Sequence, residues 1–342
     1  MATKSTTITT PPTLVEEWVR RTGLSWAQAA ALVALALIVF LAGAAYMDGT
    51  LAELFDAEYW RYGLIYPAIT AYTLWIQPAL GRLLVAALEA FRPLVLTDDE
   101  NFQRLVAEAP LFDRRNQWLA VGIGAVFILV WRPSDPFPFW PTLYHLLSGA
   151  LMYGLMGWFI YTTATASMIG VDWDISVDIN VFELKALEPV ARWGLGIALS
   201  YVGGITLSLL LVPRFTLNIQ NIATYGVLTA APVLVFFASM FSSHRIMAEA
   251  KKRELKVVRG SLAAASQALK RCAAEGRTEE MQVLFDLLAS WGAYEKQVEA
   301  VPEWPYTAQI RRNLLVSLLV PLAASIIPAL LLEAAKRLLF LP

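Results

Sequence analysis

The chain has 342 residues, 57% of them hydrophobic and only 16% charged, with a formal net charge of −1. Soluble domains carry roughly a quarter charged residues, so this composition excludes an ordinary soluble globule and indicates an all-α, multi-pass protein of the cell (inner) membrane. The near-neutral balance excludes nucleic acid as a partner, because no basic excess is left to neutralise phosphates. A single cysteine, Cys272, excludes an internal disulfide and a thiolate metal cluster.

In chain order, residues 1–25 read as a disordered polar start followed by an interfacial helix. Thr13 with Glu16, and Ser25 with Gln28, have the spacing of capping boxes, which marks two helix starts. Between them LVEEWVRR groups Leu14, Val15, Trp18 and Val19, while Arg20 and Arg21 are placed to meet lipid head groups. An ordinary first turn of structure is the alternative. The apolar run that follows lacks a small-residue cleavage site behind a short core, so it is read as a retained membrane helix.

A crossing needs about 20 largely apolar residues. Seven runs qualify: 26–47, 64–88, 118–131, 143–164, 193–212, 225–241 and 314–332. The third has fourteen residues and is the weakest. Charge retains it: Lys4, Arg20, Arg21, Arg92, Arg104, Arg114, Arg115, Lys185 and Arg192 then fall inside, against Arg61, Arg132 and Arg214 outside. The expected architecture is a seven-transmembrane-helix bundle with its N-terminus cytoplasmic and its C-terminus outside. Residues 26–243 hold helices 1–6, 244–300 a cytosolic antiparallel hairpin and 301–342 helix 7.

The loop between the fourth and fifth spans contains VDWDISVDINVFE, with Asp172, Asp174, Ser176, Asp178, Asn180 and Glu183 at the ligand spacing of a calcium loop. Val177 stands where such a loop needs a sharp glycine turn. The β-strand reading has no partner strand. Asn180 with Glu183 instead has N-cap spacing for a short helix that stops before Pro189, leaving an extended connector ahead of it. Connector, lipid or oligomer contact, and calcium site remain alternatives.

After the sixth span Leu255, Val258, Leu262, Ala265, Leu269 and Cys272 alternate steps of three and four, as a heptad seam does. Gly276 ends that helix, Thr278 is the expected cap of the next, and Met281, Leu284, Leu288, Trp291 and Val298 supply a matching stripe. The seam either closes the hairpin on itself or joins subunits.

No sequence pattern of metal, nucleophile or phosphate chemistry is present, so no enzyme activity and no cofactor are expected. His145 and Ser148 share a helical face, which is more simply packing than an acid–base pair. The central span regions carry no ionisable residue, which argues against a proton-coupled carrier. The polar content of the spans is uncharged: Pro67, Thr70, Thr73, Gln77 and Pro78 in the second, and Ser317, Pro321, Ser325 and Pro328 in the seventh. Those last four are the pore-lining candidates; the alternative is that the prolines only kink helices and the hydroxyls bond back to their own backbone.

Two stretches, DISVDINVFELKALEPVARWGL (174–195) and VPEWPYTAQIRRNLLVSLLVPLAA (301–324), resemble motifs of a bacterial and archaeal membrane-protein family without an assigned activity. In the second, Glu303, Trp304, Pro305, Tyr306, Arg311, Arg312 and Pro321 match the pattern. In topology the chain is also remotely similar to the insect odorant and gustatory receptor type of seven-helix ion channel, although its last span lacks that type's short tyrosine and glutamine signature. The resemblance implies a homo-oligomer, a tetramer in that type, held by the cytosolic helices, with the last span lining the pore. An oligomeric ion channel is therefore expected. The alternatives are a non-conducting sensor or scaffold whose residues 244–300 bind a cytosolic protein partner, and a carrier for an uncharged solute.

Overall fold

The computed structural model describes residues 8, 10–52, 57–95, 97–130, 138–167, 188–211, 219–304, 308–317 and 319–320. The elements are α1 (Leu14–Thr22), α2 (Trp26–Met47), α3 (Ala57–Phe91), α4 (Asp99–Ala107), α5 (Arg114–Val130), α6 (Phe139–Ser167), α7 (Glu188–Leu211), α8 (Ile219–Glu275) and α9 (Thr278–Ala300). Two short 3-10 turns, Arg92–Leu94 and Pro110–Phe112, flank α4, and a further helix begins at residue 308. Among the described residues there is no strand.

Four helices are long and apolar enough to cross a membrane: Trp26–Met47, the Gly63–Phe91 part of α3, Phe139–Ser167 and Glu188–Leu211. They identify an integral membrane protein. The 17 residues of α5 extend about 26 Å. That is longer than the fourteen apolar residues alone, because the polar turn Arg114–Gln117 forms part of the helix.

The bundle alternates direction. Gly63 of α3 abuts Leu41 near the end of α2, Gly149 of α6 abuts Ile128 near the end of α5, and Gly196 of α7 meets Leu83 near the end of α3. Three helix pairs therefore run antiparallel. The side that holds α1, α4 and the starts of α5 and α7 is called here the near side.

The tightest crossing joins α5 to α6. A methyl group added at Gly124 would overlap the Tyr153 carbonyl, one at Gly157 would overlap the Ala120 carbonyl, and one at Gly154 would lie 3.3 Å from the Val121 carbonyl. Small residues at Ala120, Gly124, Gly154 and Gly157 thus let the two backbones touch, the packing that holds helices together where lipid removes the hydrophobic drive between them. The outer face of α5 shows Leu119, Ile123, Val126 and Leu129.

On the near side, both expected capping boxes are formed. The Thr13 N–H donates to Glu16 Oε2 at 2.7 Å, and the Ser25 N–H donates to Gln28 Oε1 at 2.9 Å. Gly23, with φ of +69°, turns the chain between α1 and α2. Val15 and Val19 of α1 are buried, whereas Trp18 is 46% exposed.

Gln117 is the polar centre of this side and is completely buried. Its Oε1 accepts from the Leu14 N–H at 2.6 Å and from Trp158 Nε1–H at 3.1 Å, while its Nε2 donates to the Leu111 carbonyl at 2.9 Å. One side chain therefore ties α1, the 3-10 turn before α5, and α6 together. The loop that leads into α4 is held by Arg92, which donates to Asp99 Oδ1 at 2.7 Å and to the Thr97 carbonyl at 2.9 Å.

Helix α8 runs 57 residues without interruption, about 86 Å. Its first half packs in the bundle core through Phe236, Met240 and Met247. Its second half lies beside α9, with Val258, Ala265 and Cys272 buried. Gly276, with φ of +71°, makes the turn. The cap of α9 corrects the sequence reading: Arg277, not Thr278, is the N-cap residue and Thr278 is already helical. Arg277 instead pairs with Glu280 at 2.6 Å and Glu275 at 2.5 Å, joining the two helix ends across the turn.

Candidate functional site

The site with the most specific geometry is the collar where the α8–α9 hairpin meets the bundle. The four residues after α9 begin with Val301 and Pro302, and the helical ladder stops there because proline has no N–H to donate. This short segment folds back onto α8. Trp304 stacks on His244 with ring centroids 4.1 Å apart and planes inclined by 9°. Nδ1 of His244 lies 2.8 Å from the Glu303 carbonyl, so Nδ1 carries the proton and donates it.

One turn or two along α8, Lys251 satisfies the end of α9. Its ammonium donates to the Glu299 carbonyl at 2.8 Å and the Val301 carbonyl at 2.9 Å, and pairs with the Glu303 carboxylate at 3.4 Å. A cation at the negative end of a helix dipole is favourable, and Lys251 is only 15% exposed, so screening is reduced. Farther out Arg259 bridges Glu295 at 2.6 Å and Glu299 at 2.8 Å. The Tyr294 hydroxyl donates to Glu254 at 2.8 Å. These contacts fix the register of α9 against α8.

Beyond the collar, the helix from 308 changes character along its exposed side. Gln309, Arg311, Arg312 and Asn313 are followed by exposed Leu315, Val316, Leu319 and Val320, while Ile310, Leu314 and Ser317 face inward. The switch from polar to apolar comes between Asn313 and Leu315. It falls just past the His244–Trp304 stack.

Of the four pore-lining candidates, Ser317 is described. It is buried, and its hydroxyl donates to the Leu314 carbonyl of its own helix at 2.7 Å. Pro321, Ser325 and Pro328 lie outside the described residues, as do Asp172, Asp174, Ser176, Asp178, Asn180 and Glu183 of the acidic connector. In α3, Thr73 donates to the Ile69 carbonyl at 2.8 Å and Gln77 to the Thr73 carbonyl at 3.1 Å, again within one helix. These polar groups are spent on their own backbone rather than turned toward a shared path.

His145 stands at the far side against Tyr66, whose hydroxyl lies 2.8 Å from Nε2. Tyr144 adds a donor bond to the Gly63 carbonyl at 2.6 Å, so this aromatic group fastens α6 to the start of α3. Among the described residues no group of three histidine, cysteine or carboxylate side chains converges on a point. Cys272 sits buried in the α8–α9 seam with its thiol 3.6 Å from Glu280 Oε2.

Sequence reasoning missed Gln117 and the His244–Trp304 collar. A glutamine beside a tryptophan at the start of a span reads as a solvated head. Comparison with protein-family models, with characterised proteins and with solved structures finds no match to this chain.

Proposed function

We propose that this integral membrane protein is a non-conducting module that carries the α8–α9 hairpin off the cytoplasmic face of the inner membrane as a docking arm for a protein partner. In this reading the chain is no enzyme, crosses the bilayer seven times, and keeps α1 and the hairpin on the cytosolic side. The carrying observation is the unbroken α8, which extends core helix into hairpin arm with the collar residues His244, Lys251 and Trp304 bracing the junction. Such a joint holds an arm at a fixed angle. The arm also shows large apolar side chains to solvent, namely Val257, Val283, Phe285 and Leu287. Monomeric soluble surfaces keep such groups few and scattered, and partner-binding surfaces collect them.

The test is a photo-crosslinking residue at position 285 of the full chain in cells, together with planar-bilayer recording of the purified protein. The reading expects one discrete heterologous adduct and no unitary current. Unitary currents, or adducts only between copies of this chain, would refute it.

The second reading is a homo-oligomeric channel, a tetramer by analogy with the insect chemoreceptor type, lined by the helix that begins at 308. The position of that helix directly after the hairpin favours it. The inward-facing, self-bonded Ser317 counts against it.

A further inference from the structure

Between α1 and the bundle lies a cleft of about 430 Å³, within the size range of small-molecule sites. Its walls are Leu14 and Val15 of α1, Val33 of α2, Leu74 of α3, Val121 of α5 and Ala150 with Leu155 of α6. They are apolar throughout. Its mouth is different: Glu17, Trp18, Arg21 and Trp118 stand there. The Glu17 carboxylate is shared by the Arg21 and Arg114 guanidinium groups, so that trio keeps one net positive charge. Arg115 adds another, next to Trp118 in the adjoining shallow groove with Gly122 and Ile123. Glu16 and Asp113 of the same region accept from the Thr13 N–H at 2.7 Å and the Arg115 N–H at 2.9 Å and keep their charge, so the surplus is that of the lining groups alone, Arg21 and Arg115 against Glu17.

From this geometry we infer that the cleft is a binding site for one anionic phospholipid of the surrounding bilayer, with an acyl chain between α1 and α6 and the phosphate at Arg21 and Arg115. Three observations converge on that ligand. The cleft is an apolar slot with a polar lip, which matches an amphiphile rather than a water-soluble solute. Its lip carries surplus guanidinium charge, which is complementary to a phosphodiester. Trp18 at 46% exposure and Trp118 at 61% exposure flank it, as tryptophans do at head-group depth. The Gln117 bridge to the Leu14 N–H fixes the spacing of α1 from the bundle, so the slot is preformed.

The test uses the purified full chain, native mass spectrometry and thermal unfolding. Dioleoyl phosphatidylglycerol is compared with dioleoyl phosphatidylcholine and with inorganic phosphate. The expected result is a saturable one-to-one adduct with the anionic phosphatidylglycerol. It weakens about thirtyfold in Arg21→Ala/Arg115→Ala, the effect of removing two basic groups at a membrane surface. It disappears in Ala150→Phe, whose ring fills the slot; Val33→Phe, on the opposite wall, serves if Ala150→Phe does not fold. Equal binding of the choline lipid, full displacement by millimolar phosphate, or an adduct retained in the filled variants would overturn the site. A dimer of the wild-type chain that the filled variants convert to monomer would overturn it too, by identifying a second copy as the occupant.

Discussion

The imidazole of His244 lies flat against the indole of Trp304, 4.1 Å between ring centroids, while its Nδ1–H reaches the carbonyl of the preceding residue. Two contacts from one side chain therefore seat the segment that separates the hairpin from the following helix. Trp304→Ala removes the stack and the apolar contact with Phe237, whose ring centre is 5.7 Å away. The expected cost is about 2 kcal/mol, less than for a fully enclosed tryptophan. His244→Phe keeps the ring contact and loses the hydrogen bond, costing at most about 1 kcal/mol. Thermal unfolding in lipid nanodiscs should rank them in that order, and an equal loss in both variants would contradict the stacking account.

Gln117 makes three hydrogen bonds without exposure to water. Gln117→Leu leaves the Leu14 N–H, the Trp158 indole N–H and the Leu111 carbonyl without that partner, which should cost about 3 kcal/mol in total. Hydrogen exchange should increase in α1 before it increases in α6, since α1 is the shorter element and depends on this bond for its docking. Unchanged protection of residues 14–22 would show that the bridge does not hold α1.

Glycines on opposite faces of α5 should respond with opposite sign. Gly124→Ala, and Gly157→Ala on α6, force the two backbones apart and are expected to destabilise by about 1–3 kcal/mol, the usual cost of overpacking. At Gly122 an added methyl meets nothing within 4 Å. Gly122→Ala should therefore stabilise by about 0.5–1 kcal/mol through helix propensity. Unfolding midpoints of the three variants check the contrast directly.

The hairpin should loosen at high pH. The hydrogen bond from Tyr294 to the Glu254 carboxylate, then burial, and then the charge of Glu254, raise the phenol above its ordinary value. A raised value means the contribution is complete below the ordinary tyrosine range near pH 10 and disappears as pH rises through the higher folded-state value. The stability difference between wild type and Tyr294→Phe is thus expected to be constant at neutral pH and to vanish above that point. A difference that does not change as pH rises through the tyrosine titration would show that it does not come from this bond.

The parts of this fold visible in the sequence are those written in local spacing. Thr13/Glu16 and Ser25/Gln28 marked two helix starts because a capping box is a contact between residues three apart. Gly276 marked the hairpin turn because only a residue without a side chain adopts its φ of +71° at no cost. Long-range relationships were not visible. The Gln117 bridge joins residues 103 apart, and nothing near Gln117 in the chain reports Leu14 or Trp158. The close approach of Ala120 and Gly124 to Gly157 and Tyr153 likewise joins residues on two helices and was not read from the sequence. Helix α4 and its flanking turns escaped because a short amphipathic segment between spans looks like a polar loop until Phe102 and Val106 are seen to be buried.

The continuity of α8 also sets a mechanical ratio. From Phe236, in the bundle, to Glu275, at the tip, the helix advances about 58 Å. A rocking of only about 5° at the bundle end sweeps the tip through about 5 Å of arc, roughly one helical pitch. A small angular change at the bundle end of α8 thereby becomes a displacement at the tip large enough to make or break a side-chain contact.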